Sequence, residues 1–163
     1  MTDDKLDQAR QVMRSFEMGD EWFDAIDPEA PEWVREWQGG SIRAYRDADI
    51  DWVLEQTDPE VEISQPVEIP DARSYHGHDG MIEALLDWPN QWENFRVEPK
   101  RIYSPGDERI MVEAVHRGRS RTMGIDVAAE IVWLFTFRDG RTRRWQMFMT
   151  VEDALAAVKD SGS

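Results

Sequence analysis

No cysteine occurs among the 163 residues of this chain, so disulfide bonds and thiolate chemistry are excluded. The sequence also lacks a run of about 18 apolar residues, the length that a membrane-spanning helix requires. Its first residues, Met-Thr-Asp-Asp, do not resemble a secretory signal peptide. These absences predict a cytoplasmic protein with no membrane partner.

Positive charge is scarce, because 19 lysine and arginine residues oppose 34 acidic ones and leave a net charge of −15. Binding to a phosphate backbone requires a basic surface, so this balance argues against nucleic acid and against an anionic membrane as partners. The chain does hold 8 tryptophans and 8 methionines. Side chains of both kinds fill irregular pockets well, and they also fill ordinary cores.

Helices dominate the first half of the predicted structure. Apolar residues at helical spacing predict helices over residues 5–16, 31–45, 50–54 and 79–86, and a closing helix over 151–158. A break or bend is expected at Gly39-Gly40, and Asp49 is expected to cap the short helix that Asp58-Pro59 stops. Pro89 interrupts the helix that begins at residue 79.

Strands dominate the second half. Alternating patterns predict strands over residues 61–65, 95–103, 109–121, 125–138 and 142–150, with a loop over 66–80. Asp139-Gly140 is a strong hairpin signal. Helices followed by hairpin-linked strands indicate the α+β class and not a βαβ protein. A sheet with helices on one face is expected to bend around them into a cone with one open end.

Four stretches, in this order and spacing, carry a resemblance to a known family. They are ADID and DPEVE at 48–51 and 58–62, YHGHDGMI at 75–82, GDERI, HRGRSR and GIDV between 106 and 127, and FTFRDGR at 135–141 with Ala154-Leu155. Over residues 41–158 the chain resembles the SnoaL-like branch of the nuclear-transport-factor-two-like superfamily. The resemblance implies a curved antiparallel sheet wrapped around helices, a pocket, a homodimer and no cofactor. It divides the chain into an N-terminal helical extension (1–32), the SnoaL-like domain (33–158) and a flexible tail (159–163).

Strand alternation predicts which side chains line the pocket. The seven odd-numbered residues from Ile125 to Phe137 share one apolar face, which is expected to be concave. A small apolar or aromatic ligand, including a polycyclic one, is expected to bind there. The predicted ligand-binding residues are Trp133, Phe135, Trp145, Met147, Met149, Trp52, Ser64 and Ala114.

Three residues are candidates for acid-base chemistry. His116 shares a strand face with Ala114 and is expected at the edge of the pocket, where imidazole can act as acid or base; the alternative is a partly exposed histidine without a role. Glu62 beside an aromatic wall would have a raised pKa and act as the acid-base partner of His116. The alternative is a glutamate that faces solvent. Tyr45 is expected to donate a hydrogen bond to a substrate oxygen, or it packs in the core.

No metal site is predicted, because His76-Gly77-His78 lacks a third ligand at any diagnostic spacing. The acid-base sets of the family are also broken. Trp133 stands where steroid isomerases have an acid, and Thr150 where SnoaL-type cyclases have one. The acid-arginine-acid set of limonene epoxide hydrolases falls on Ala114, His116 and Met147. Two functions stay open: a cofactor-free isomerase, hydrolase or lyase that uses His116, and a non-catalytic ligand-binding or protein-interaction module.

Overall fold

Four helices precede the first strand in the computed structural model, which describes residues 3–66, 68–69 and 72–160. The helices in those residues are α1 (Asp3–Ser15), α2 (Glu21–Asp24), α3 (Glu32–Asp47), α4 (Ile50–Glu55), α5 (Gly77–Asn90) and α6 (Val151–Asp160). The strands are β1 (Thr57–Ser64), β2 (Ser74–His76), β3 (Trp92–Tyr103), β4 (Arg109–Ser120), β5 (Asp126–Arg138) and β6 (Arg141–Phe148). The predicted α+β class is confirmed.

The six strands form one curved, open sheet in the order β2-β1-β6-β5-β4-β3. Strands β3 to β6 follow one another as antiparallel neighbours, whereas β1 pairs with β6 in parallel. The turn between β5 and β6 is Asp139-Gly140, and both residues have positive φ, 53° and 78°. This is the backbone that a two-residue type I′ hairpin requires, so the hairpin prediction is confirmed.

Two predictions about the start of the sheet are wrong. Strand β1 was expected to begin at Val61, but it begins at Thr57 and includes Pro59. The proline is tolerated because the β1–β6 register shifts between Thr57 and Glu62, so that no ladder hydrogen bond is required of it. Residues 74–76, predicted as loop, form the edge strand β2 opposite residues 62–64 of β1. Three residues are too few for an alternating pattern to be recognised in the sequence.

The concave face of the sheet carries the main core. Ile131, Phe135 and Phe137 of β5 are buried there and Trp133 packs against them, as alternation predicts. Ile125 was expected on the same face, but it precedes β5 and is 52% exposed. The hollow is therefore lined by the second half of the strand, and the start of β5, next to Ile125, extends beyond it.

Helix α6 covers part of the opposite, convex face. Its Ala154 packs with Met111, Val132 and Leu134, the buried residues that point away from the main core. The even-numbered positions at the centre of β5 are therefore apolar because they lie under a helix. The predicted tail began at Lys159, but this residue and Asp160 end α6, and residues 161–163 lie outside the described part of the chain.

Helix α3 is one continuous helix through Gly39-Gly40, not two segments. Gly40 lies against the indole of Trp52 on α4, and a Cβ there would be 2.5 Å from Cζ2 of that ring. The glycine is therefore required by packing between two helices. This contact also holds Trp52 against α3.

We expect Gly40→Ala to lower the free energy of unfolding by about 1–3 kcal/mol, because the indole of Trp52 must move to accept the methyl group. Gly39→Ala is the matched control, since its Cβ would meet only Arg43 Nη1, at 3.6 Å. Removing a helical glycine there should raise stability by about 0.5–1 kcal/mol. Urea unfolding measures both variants, and equal effects would contradict the packing role of Gly40.

The N-terminal residues pack into the same core as the rest of the chain. Ala9 and Met13 of α1 have no exposed surface and belong to the core cluster formed with α5. Further along, the backbone N–H of Asp27 donates to the carbonyl of Ile102 (2.8 Å), and that of Ile102 donates to Ala25 (2.9 Å). This short parallel bridge covers part of the edge strand β3. The division at residue 32 stays a prediction about folding units.

Candidate functional site

A cavity of about 130 Å³ lies between the concave face of the sheet and helices α3 and α5. Most of its wall is aromatic or aliphatic. The polar residues of the wall are Gln38, Ser41, Tyr45, Ser64, Gln65 and Tyr75. Among the described residues that line the cavity, none is Asp, Glu, Lys, Arg or His.

The sheet supplies an apolar wall that contains four of the predicted ligand-binding residues: Trp133, Phe135, Trp145 and Met147. Phe135 stacks on Trp145 with ring centroids 5.6 Å apart and planes inclined by 13°. Trp133 meets Trp145 edge to face at 5.9 Å. Both arrangements are preferred by aromatic pairs, so mutual packing holds these rings in place without a ligand.

Helix α3 supplies a polar edge to the same cavity. Gln38, Ser41 and Tyr45 lie three and four residues apart, so they share one helix face. Gln38 is only 2% exposed, and its Nε2 has no hydrogen-bond partner. Within residues 3–66, 68–69 and 72–160 the Ser41 and Tyr45 hydroxyls have none either. Burial raises the pKa of Tyr45 to about 12, so its hydroxyl stays protonated at neutral pH.

His116 lies one layer behind the cavity wall. It is on the concave side of β4 and only 4% exposed. The rings of Trp88, Phe95 and Trp133, all of which line the cavity, surround its imidazole at centroid distances of 5.7, 5.1 and 5.4 Å. The expected position at the pocket edge is therefore corrected to a buried position that these three rings separate from the cavity.

The protonation of His116 follows from one hydrogen bond. The indole N–H of Trp88 donates to Nδ1 of His116 at 2.8 Å. An indole nitrogen only donates, so Nδ1 is unprotonated and the neutral ring carries its proton on Nε2, which has no partner in the described structure. Burial lowers the pKa of His116 to about 3. The imidazole is neutral at physiological pH, and a group of such low pKa is a weak general base there.

Glu62 points away from the cavity. Its neighbours Val61 and Ile63 are buried, so alternation along β1 puts Glu62 on the outer face. There its carboxylate lies 3.4 Å from Nε of Arg144 and 3.9 Å from Nη1 of Arg143. The structure does not bring Glu62 and His116 together, so the expected acid-base pair is not formed.

Three other predicted ligand-binding residues do not line the cavity. Trp52 packs against Gly40, Ala114 is buried in the core beside the cavity, and Met149 follows the end of β6. Ser64, at the end of β1, does line it. For Ala114 and Met149 the cause is that alternation identifies a strand face but does not tell which part of that face borders a void. Trp52 lies on helix α4, and its indole packs against Gly40 of α3 instead.

Comparison with known families agrees with this architecture. The family model described as the SnoaL-like domain matches residues 40–145, more than half of the chain. The chain belongs to the SnoaL-like domain family. No curated protein matches this SnoaL-like protein.

Solved structures similar to this SnoaL-like protein share its fold at low sequence identity. TerC, co-crystallised with polyporic acid, is 22% identical with a TM-score of 0.55 over 76% of this chain and 96% of its own. A protein of ketosteroid isomerase-like fold from Catenulispora acidiphila, in complex with trimethylamine, is 16% identical, with a TM-score of 0.55 over 78% of this chain and 92% of its own. A protein from Jannaschia sp. CCS1, named as a proposed SnoaL-like polyketide cyclase, is 15% identical, with a TM-score of 0.53 over 93% of this chain and 92% of its own.

The N-terminal segment contributes to the cavity of this SnoaL-like protein, which the sequence did not reveal. Phe16, Met18 and Trp22 line it, and Phe16 meets Tyr45 edge to face at 5.4 Å. Gln38 was also missed, although it lies seven residues before Tyr45, two helical turns away on the same face. That spacing was available in the sequence. The contact of residues 16–22 with the cavity was not, because it depends on how the segment folds back.

Outside the polar edge, one tyrosine of the wall belongs to a structural network. The Tyr75 hydroxyl donates to Oδ2 of Asp87 at 2.8 Å, and Arg73 Nη1 donates to the same oxygen at 3.0 Å. Burial, followed by the hydrogen bond to Asp87, raises the pKa of Tyr75 to about 12. These bonds join the edge strand β2 to α5 and keep the hydroxyl away from proton transfer.

The two histidines beside Gly77 lie apart from the cavity wall. A ring nitrogen of His78 lies 2.8 Å from the carbonyl oxygen of Thr57, and His76 ends the exposed edge of β2. In the described part of the chain, no group of three or more His, Cys, Asp or Glu residues is placed to hold a metal ion. No helix among those residues is long and apolar enough to cross a membrane.

Proposed function

We propose that this protein binds a small, uncharged and largely apolar molecule in the cavity, and that binding rather than proton transfer is its function. The observation that carries the proposal is the chemistry of the wall. Among the described residues of the wall, the ionisable side chains are Tyr45 and Tyr75, and burial raises the pKa of each to about 12. At neutral pH the wall therefore presents neither a charge nor a base to the ligand.

The volume of the cavity limits the ligand to about one ring. An engineered apolar cavity of about 150 Å³ accepts benzene, and the cavity here measures about 130 Å³. A polycyclic ligand would require the wall to move. Two structural neighbours hold small molecules, polyporic acid and trimethylamine, which supports a small-ligand role for this fold.

Filling the cavity should abolish binding. We expect Ala84→Phe, on the α5 side of the wall, to weaken binding of ethylbenzene by at least about tenfold because the new ring occupies the ligand's space. Quenching of tryptophan fluorescence measures this, since five tryptophans of the cavity wall report on the ligand. Ala156→Phe, on the exposed face of α6, is the matched control and should bind as the unaltered protein does. Equal binding by both variants, or none by the unaltered protein, contradicts the proposal.

A second candidate function is a cofactor-free isomerase, hydrolase or lyase that uses His116, Glu62 and Tyr45. One observation favours it: Nε2 of His116 is buried without a partner, directly behind rings that line the cavity. Rotation of Trp88 would break its hydrogen bond and open a path from the cavity to the imidazole. The separation of Glu62 from the cavity and the low pKa of His116 make this candidate the weaker one.

Turnover assays separate the two functions. For an enzyme, conversion of at least one member of a panel of aromatic ketones, epoxides and alcohols is expected, with a loss of at least about a hundredfold in His116→Ala. For a binding protein, no turnover is expected and ligand binding survives the substitution. Turnover that His116→Ala leaves unchanged would remove His116 from the mechanism.

The quaternary structure and location of the protein stay predictions. The family resemblance implies a homodimer, which light scattering of the purified chain checks by its mass. Cytoplasmic localisation is checked by fractionation of the source cells.

A further inference from the structure

The polar edge of α3 points to the chemical class of the ligand. We propose that Gln38, with Ser41 and Tyr45, binds an oxygen acceptor of the ligand, so that the cavity selects an uncharged ring compound with a carbonyl oxygen over a hydrocarbon of the same shape. This inference rests on the proposed function, because it takes the cavity as the binding site. It adds what the ligand must carry and which residue recognises it.

Gln38 is the wall residue whose buried amide nitrogen lacks a hydrogen-bond acceptor. Its side chain lines the cavity, only 2% of its surface is exposed, and Nε2 has no acceptor. Buried amide groups in proteins are nearly always hydrogen-bonded, because an unsatisfied donor loses its hydration without compensation. Nε2 itself has almost no accessible surface, so the amide turns toward the adjoining cavity when a ligand oxygen there supplies the missing acceptor. An apolar side chain at this position would have avoided the cost if the ligand were a hydrocarbon.

The charge of the wall decides which acceptor fits. The Tyr45 hydroxyl is protonated at neutral pH, so it can donate as Gln38 does. No lysine, arginine or histidine among the described wall residues would balance a ligand carboxylate, and no aspartate or glutamate there would balance an ammonium group. A neutral carbonyl oxygen meets these donors without placing a charge in an apolar cavity. Aromatic rings attract organic cations, so a cation is the rival ligand that the experiment must include.

The arrangement of the two walls fixes the orientation of such a ligand. Gln38 and Tyr45 are seven residues apart, about 10 Å along the axis of α3, with Ser41 between them. The centre of the sheet on the other side offers the rings of Trp133, Phe135 and Trp145. The hydroxyls that the sheet adds to the wall are those of Ser64 on β1 and Tyr75 on β2, and the Tyr75 hydroxyl already donates to Asp87. The ligand therefore directs its oxygen toward α3 and lays its ring against the sheet.

Acetophenone and ethylbenzene test this inference, because they share a shape and only acetophenone has a carbonyl oxygen. We expect Gln38→Leu to weaken the binding of acetophenone by at least about tenfold. The same variant should bind ethylbenzene with an affinity within about threefold of that of the unaltered protein, or more tightly. Gln38→Met, which also lacks the donor, repeats the test if the leucine variant does not fold. Gln11→Leu, at an exposed position on α1, is the matched control and should change neither affinity. Titration by tryptophan fluorescence measures all four proteins, with phenyltrimethylammonium as the cationic probe.

The outcomes separate this inference from the proposed function. If ethylbenzene binds but the Gln38 variants leave the ratio of the two affinities unchanged, recognition of a carbonyl by Gln38 is wrong and the binding function stands. If phenyltrimethylammonium binds more tightly than either neutral compound, the ligand class is wrong. If no probe binds to the unaltered protein, the proposed function and this inference fail together. A selective loss of acetophenone in both Gln38 variants supports the inference.

Discussion

Trp22→Ala is expected to lower the free energy of unfolding by about 3–5 kcal/mol, the range typical of removing a large aromatic side chain from a core. Trp22 belongs to α2, in the segment that precedes the family match, yet it is 4% exposed and packs in the main core cluster. Its removal takes apolar surface out of the core and enlarges the cavity that it lines. Urea unfolding followed by circular dichroism measures the loss.

Phe23→Ala is the matched control for this prediction. Phe23 is the next residue of the same short helix, but it is 46% exposed. Its substitution should change the free energy of unfolding by less than about 1 kcal/mol. If Trp22→Ala is as mild as the control, the N-terminal segment does not pack on the core as described, and the part of the cavity wall that it forms is lost.

The second large effect is a pH dependence of stability caused by His116. Burial lowers the pKa of this histidine from 6.5 to about 3, so below pH 6.5 the unfolded chain takes up a proton that the folded protein does not. The free energy of unfolding therefore carries no penalty from His116 above pH 6.5, and it decreases as the pH falls from 6.5 toward 3. At about 1.4 kcal/mol for each pH unit, the change from pH 7 to pH 4 amounts to about 3 kcal/mol.

A variant without the imidazole isolates this contribution from the titration of the many carboxylates. In His116→Gln the unfolded chain gains no proton at this position, so its stability should fall by about 3 kcal/mol less than that of the unaltered protein between pH 7 and pH 4. Urea unfolding at several pH values measures both proteins. Parallel stability profiles would show that His116 titrates normally in the folded state and is accessible to solvent.

Some features of the site follow from local patterns in the sequence. Trp133 and Phe135 were placed on the concave face because a strand alternates its side chains, and they line the cavity. The same rule placed Glu62 on a strand, but it did not decide which face of that strand borders the hollow. That required the pairing of β1 with β6, whose partner residues are about 80 positions apart in the chain.

His116 shows why the candidate chemistry was harder to predict than the fold. Alternation correctly put His116 on the face of Ala114, toward the concave side. Its environment depends on Trp88, which lies 28 residues earlier on α5 and donates the hydrogen bond to Nδ1. No local pattern specifies that contact. The pKa of the imidazole, and with it the strength of the enzymatic hypothesis, changes once the contact is known.

The sequence by itself determined the α+β class, the order of most helices and strands, the hairpin at Asp139-Gly140 and the family, because periodicity, capping and turn chemistry act over a few residues. Only the tertiary structure decided that the cavity has the Gln38 amide and no carboxylate, that Trp88 and its neighbours enclose His116, and that residues 16–22 form part of the wall. The reason is physical: burial and the choice of hydrogen-bond partners are set by residues distant in the chain, and packing alone brings them together.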